Sequence, residues 1–189
     1  MKNLSLRYFF LTLIGSLAVF HSHGQITFIK GYLINDKGDT LKGEVKFNPK
    51  KEQDCYNKVF FKDTNGVVKN YKPQKVKGYG FNGQNFVSME FDNEMKYYRV
   101  LASGEINLYR MMYEMISMNQ PVVGSEYYIS RQAEPTKLTV VKEGKFKKQM
   151  TEWMKDNPEF ITDFEDTKEL NSENAAEAVR KYNAWKAGK

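Results

Sequence analysis

The chain has 189 residues, with 29 lysines and arginines against 23 aspartates and glutamates, two histidines and one cysteine. A single cysteine excludes an intrachain disulfide, so packing must carry stability. A net charge of +6 permits attraction to anionic glycans or lipid head groups without demanding it.

The first element is an export signal. Lys2 and Arg7 form a positive start with no acidic neighbour, and residues 8–20, YFFLTLIGSLAVF, form an apolar run. That run is short of the roughly 20 residues that span a bilayer. HSHGQ follows, and cleavage after Gly24 places Ser22 and Gly24 at the small-residue sites, so the mature chain is expected to begin at Gln25. No cysteine follows the run, which argues against a lipid-anchored product. Cleavage lowers the net charge by two. It also removes His21 and His23, the only histidines. That excludes Ser-His-Asp and Cys-His catalysis, histidine-ligated zinc and histidine proton shuttles from the exported product.

Residues 25–141 read as a β-rich domain. ITFIKGYLI (26–34) and LKGEVKF (41–47) flank the turn-forming NDKGDT. In the second segment Leu41, Val45 and Phe47 face one way, and Lys42, Glu44 and Lys46 the other, the period of a half-buried strand. KVFFK (58–62) and VVKNYK (67–72) flank DTNG, while YGF and QNFVSMEF flank Asn82-Gly83, a strong hairpin dipeptide. KYYRVLA (96–102), EINLYRM (105–111), EYYISR (126–131) and KLTVV (137–141) complete the series. Pro121 and Gly124 predict a loop between the last two pairs. The pattern predicts an α+β fold, a mostly antiparallel sheet, sandwich or barrel followed by C-terminal helices. Those helices occupy 142–189. Phe146, Met150 and Trp153 or Met154 share a helical face, Pro158 can start a second helix, and Asn171 or Ser172 can cap a last one presenting Ala175, Val179, Tyr182 and Trp185.

Gly78-Tyr-Gly-Phe-Asn-Gly83 matches G-x-G-x-x-G, but a strand rather than a helix follows, so it reads as a turn. Met111, Met115 and Met118 would share one face of a helix and could offer thioethers to Cu(I), against a core-filling role. Asp92/Glu94 and the run Asp163, Glu165, Asp166 and Glu169 supply acids for a carboxylate-pair glycosidase or for calcium, against a turn and a solvated face. Lys142, Lys145, Lys147 and Lys148 form a basic stretch that reads as solvated helix surface. Cys55 reads as a buried thiol beside Tyr56. No catalytic residue, cofactor or metal ligand is assigned.

GYLINDKGDTLKGEVKF, followed by YKPQKVKGYGF, resembles a pattern in uncharacterised secreted proteins of the Bacteroidota, and VRKYNAW is similar to their terminal helix. The resemblance covers about residues 26–82 and the C-terminus. It implies an envelope location and carries no functional residue.

The sequence thus leads to an exported, non-enzymatic module in the periplasm, at the outer membrane or outside the cell, binding an anionic glycan, lipid or envelope protein. Nucleic acid is not an expected partner, and no membrane-integral segment is expected after cleavage. The alternative is a carboxylate-dependent hydrolase acting on glycans. Tyr97, Tyr98, Tyr127 and Tyr128, in strand segments, are the candidate binding surface, since adjacent residues point to opposite faces and exposed tyrosines make rigid contacts.

Overall fold

A computed structural model of the chain describes residues 27–157 and 172–188. The expected export signal with Gly24 and Gln25, the expected helix start at Pro158, the acids at 163–169 and the expected cap at Asn171 lie outside the described residues.

Ten strands form one open, wholly antiparallel sheet. They are β1 (Thr27–Asn35), β2 (Thr40–Phe47), β3 (Val59–Lys62), β4 (Val68–Tyr71), β5 (Val76–Phe81), β6 (Gln84–Phe91), β7 (Glu94–Ala102), β8 (Ile106–Ser117), β9 (Gln120–Arg131) and β10 (Thr139–Val141). The spatial order is β10-β9-β8-β7-β6-β5-β1-β2-β3-β4. Two meanders therefore run outward in opposite directions from the β1–β5 seam. The predicted hairpins are present in the predicted places. Three hairpins, of which the sequence predicts only the first, have two-residue turns with both residues at positive φ: Asn82-Gly83, Asp92-Asn93 and Met118-Asn119. This left-handed geometry matches the twist of the flanking strands.

Pro121 and Gly124 mark no loop. Both lie within β9, opposite Ile116 and Tyr113. Ser117 and Gln120 close the hairpin as a hydrogen-bonded pair, so the next pair, Ile116 and Pro121, is of the other kind, and Pro121 needs no ladder donor. A Cβ on Gly124 would sit 2.7 Å from the Tyr113 ring, which lies across it.

One face of the sheet is covered twice. Over β1–β8 lies a 3-10 segment, Pro49–Tyr56, which no periodicity in PKKEQDCY predicts. Asn48 starts it by accepting from the Lys50 N–H at 3.0 Å. It seals a core of Leu33, Tyr56, Phe61, Tyr79, Phe81, Phe86 and Tyr97. The Tyr79 and Phe86 rings stack at 4.7 Å, and Tyr97 meets Tyr79 edge-on at 5.0 Å. Over β7–β10 lie helices α1 (Phe146–Trp153) and α2 (Ser172–Ala187). Their core is different in kind: Ile106, Leu108, Ile129, Met150, Met154, Ala175, Val179 and Tyr182. The predicted helical faces are the buried ones. A register shift between Val100 and Ala102 turns Ala102 to the helix side, opposite Leu108.

Side-chain amides fasten the helices to backbone that the sheet leaves unpaired. Asn183 accepts from the Ile106 N–H at 2.9 Å and donates to its carbonyl at 2.8 Å. Gln149 does the same at the end of β10, accepting from Lys142 and donating to Val140, both at 3.0 Å. Each amide supplies the donor and acceptor a neighbouring strand would have supplied.

The opposite face buries Met89, Tyr98, Tyr109 and Tyr128 with none of the described helices over them. The sheet curls onto itself instead. Phe91 of β6 meets Tyr128 of β9 at 5.1 Å. A flat sheet would hold strands three apart at roughly 14 Å.

Candidate functional site

Three of the four tyrosines expected to form a binding surface are buried. Tyr97 is 0% exposed and Tyr98 and Tyr128 are 2% exposed. Adjacent residues do point to opposite faces, but both faces are covered there. Tyr97 lies in the core under the 3-10 segment, donating to the Tyr71 carbonyl at 3.2 Å. Tyr98 and Tyr128 meet edge-on at 5.0 Å in the curl. Tyr127 is half-buried against Phe146 of α1. Burial raises the Tyr98 hydroxyl to about 12, with Glu94 and Glu126 adding to the shift.

The methionines are not a helical ligand set either. Met111, Met112 and Met115 lie on β8, where alternation sends Met112 away from the other two, and Met118 occupies the turn. Asp92 is in a two-residue turn, and Glu94 pairs with Lys96 at 2.8 Å. Asp63 caps a turn by accepting from Asn65 and Val67, both at 2.9 Å. Among the described residues no three His, Cys, Asp or Glu side chains gather as a metal would need. No described helix is long and apolar enough to cross a membrane.

The partly buried charges under the 3-10 segment act as a clasp. Arg99 and Arg110 lie directly opposite each other on β7 and β8. Glu52 bridges them, meeting Arg99 at 3.2 Å and Arg110 in a shorter contact. Arg110 also donates to the Tyr56 hydroxyl at 3.3 Å, and Gln53 donates to Glu114 at 3.0 Å. One carboxylate oxygen shared by two guanidiniums holds the segment in place.

What stays open is the other face of β1–β3. Register and alternation put Phe28 and Lys30 of β1, Glu44 and Lys46 of β2, and Phe60 and Lys62 of β3 on this side. The alternation read for β2, with Lys42, Glu44 and Lys46 outward, holds. Pairing adds the aromatics. Lys46 and Lys58 both lie over the Phe60 ring, at 5.1 and 5.3 Å from its centre, and Lys62 lies over Phe28 at 4.9 Å. Ammonium groups over ring faces are held in place by the ring quadrupole. Lys62 also pairs with Glu44. Lys46 and Lys58 have no carboxylate partner among the described residues.

Beside them opens a cavity of about 250 Å³ lined by Lys46, Asn48, Lys51, Asp54, Cys55, Lys58 and Phe60. Three ammonium groups face one carboxylate across it. Cys55 lies at its edge, 7% exposed. Burial raises the thiol to about 11, with Glu52 and Asp54 adding to the effect, so it stays protonated and is no nucleophile at neutral pH. The residues fit an anion flanked by apolar surface. Long-range pairing of KVFFK with VKF builds the site, and only its lysine side was legible in the sequence.

The chain matches no known family model, no curated protein and no solved structure in the comparisons made.

Proposed function

We propose that the protein is an exported, non-enzymatic binding module of the cell envelope or extracellular space, and that it takes an acidic glycan on the lysine and aromatic face of β1–β3. The observation that carries this reading is the pair Lys46 and Lys58, both fixed over Phe60 at the mouth of the cavity and both without a carboxylate partner among the described residues. Fixed cations attract a carboxylated or sulfated polymer, and ring faces pack against the C–H faces of sugars. The export signal supports meeting such a polymer outside the cytoplasm. The resemblance to secreted Bacteroidota proteins points the same way.

Affinity electrophoresis of the processed chain through polygalacturonate, sulfated dextran and neutral dextran tests the reading. Retardation is expected in the first two gels, falling as salt rises, and absent in the third. Lys46→Gln with Lys58→Gln should abolish it while leaving the melting temperature unchanged. Equal migration in all three gels would remove the proposal. Cleavage of any of these polymers, abolished by an Asp or Glu substitution, would establish the hydrolase instead.

A further inference from the structure

The β8–β9 hairpin runs on past its neighbours. β7 pairs with β8 only from Arg99↔Arg110 to Ala102↔Leu108, and β10 pairs with β9 only at Tyr127, Tyr128 and Ile129. From Met111 to Glu126 the two strands are laddered to each other and to no further strand among the described residues. Every residue from Glu114 to Val123 is exposed.

This ribbon has an unusual surface. In a chain with 28% charged residues, none falls between Met115 and Ser125. Five of the nine large apolar side chains exposed among the described residues are here: Met115, Ile116, Met118, Val122 and Val123. Met118 is 98% exposed and Ile116 is 81% exposed. Met118 also sits at φ 49°, where the other two tight turns place Asn82 and Asp92. Asparagine and aspartate tolerate that region well, whereas methionine gains nothing from it. A costly apolar residue at a fully exposed turn serves something beyond the fold.

We propose that this tip inserts into a lipid surface. Three features select lipid over a protein groove. Met115 and Val122 face each other on one side of the ribbon, Ile116 and Val123 lie on the other, and Met118 closes the end. Large apolar side chains therefore stand on both sides of the tip around the polar Ser117, Asn119 and Gln120, while a protein groove would cover one side. The tip's five large exposed apolar side chains are divided between opposite faces, far fewer than the roughly 20–30 residues a side of a stable protein interface. Its height also fits: Met115 to Met118 spans about 10 Å of strand, the depth to which interfacial elements enter a bilayer. Behind it stands Tyr113, at the level where tyrosines meet head groups. Glu114 leans back, accepting from Gln53 at 3.0 Å, and Glu126 accepts from Tyr128 at 2.6 Å.

Flotation of the processed chain, starting at Gln25, with phosphatidylcholine vesicles and with phosphatidylcholine–phosphatidylglycerol vesicles tests this. The protein is expected to float with both. Ile116→Ser with Met118→Ser should cut the vesicle-bound fraction about ten-fold, with an unchanged melting temperature, and Met118→Leu should retain binding. Failure to float with either vesicle would overturn the proposal, as would flotation of the double variant at the level of the unchanged protein. Flotation confined to phosphatidylglycerol vesicles and abolished by Lys46→Gln with Lys58→Gln would assign lipid binding to the β1–β3 face instead. Dimerisation lost in the double variant, without vesicle binding, would make a second copy the occupant. Glycan binding at β1–β3 stands or falls separately.

Discussion

The two covers on one face of the sheet solve the same problem with opposite materials. Over β1–β8, an eight-residue 3-10 segment is too short to bury much by itself. The sheet therefore fills the space beneath it with rings: Tyr79, Phe81, Phe86 and Tyr97, under Tyr56. Over β7–β10, helices bring their own apolar stripes, and the contact is made with Ala175, Ala176 and Ala178, which let the backbone come close. A thin cover demands large side chains from the sheet, and a thick cover demands small ones from itself. The polar fastenings follow suit. The short segment is clasped by charge, Glu52 to Arg99 and Arg110, and the helices by the amides of Asn183 and Gln149.

Truncation should show the contrast first. Tyr79 is 1% exposed and touches three rings. Tyr79→Ala is expected to cost about 3–5 kcal/mol in denaturant melts. Tyr79→Phe should cost only about 1 kcal/mol, because it removes the 2.6 Å hydrogen bond to the Cys55 carbonyl and keeps the ring stack. On the helical side Met150→Ala should cost about 2–4 kcal/mol, and Ala175→Leu about 1–3 kcal/mol through overpacking. If the thin cover tolerated a cavity as well as the thick one tolerates added bulk, the contrast would fail. Whether both variants shift one cooperative transition or two will show how far the sheet couples the covers.

Next in size is the amide fastening. Asn183→Ala leaves the Ile106 N–H and carbonyl without their partner, at a cost of about 1–3 kcal/mol. Gly104→Ala should be comparably harmful, since φ is 150° there and a Cβ would lie 2.6 Å from the Asn183 side chain. Faster hydrogen exchange at Ile106 in Asn183→Ala, with β1–β6 unaffected, would confirm that the fastening is local.

Alkali should act on the ring-filled side. Burial raises Cys55 from 9.0 to about 11, and raises Tyr56 from 10.0 to about 12. A raised value in the folded state means stability is complete below pH about 9 and is lost as pH climbs through 11–12. Unfolding and tyrosinate absorbance should therefore rise together. The smallest effect belongs to acid. Asp156 is lowered by its hydrogen bond from Lys186, with Tyr182 adding to it. Its contribution is present above the ordinary carboxylate range and fades as pH falls through its lowered value. Asp156→Asn should shift the acid midpoint slightly and leave the alkaline limb unchanged.

How much of this was readable in the sequence depended on distance along the chain. Hairpins announced themselves because turn and pattern lie within a few residues, as at Asn82-Gly83. Helical faces were readable for the same reason, and Ala175, Val179 and Tyr182 are all 0% exposed. The tyrosines misled because alternation tells which side a residue takes, not whether that side is covered. Coverage of Tyr97 depends on Pro49–Tyr56, and coverage of Tyr98 on a curl that joins β6 to β9. Pro121 and Gly124 read as loop because ribbon edges and ring-covered glycines use the same residues. The lysines of β2 were visible as an outward row, but Phe60, which orders Lys46 and Lys58, comes from another strand.

The β1–β5 seam has a consequence for the order of events in folding. Every other strand pairing joins neighbours in the chain, and closes as soon as the second strand exists. β1 ends at Asn35, while its second partner begins only at Val76. During synthesis the β1–β4 meander must therefore wait with the inner edge of β1 bare until β5 appears. Closing that one long loop is the step with the largest entropic barrier. Substitutions at Gly31, Leu33 or Tyr79 should slow refolding more than those in any hairpin. The bare edge is also the point at which a stalled chain would join another.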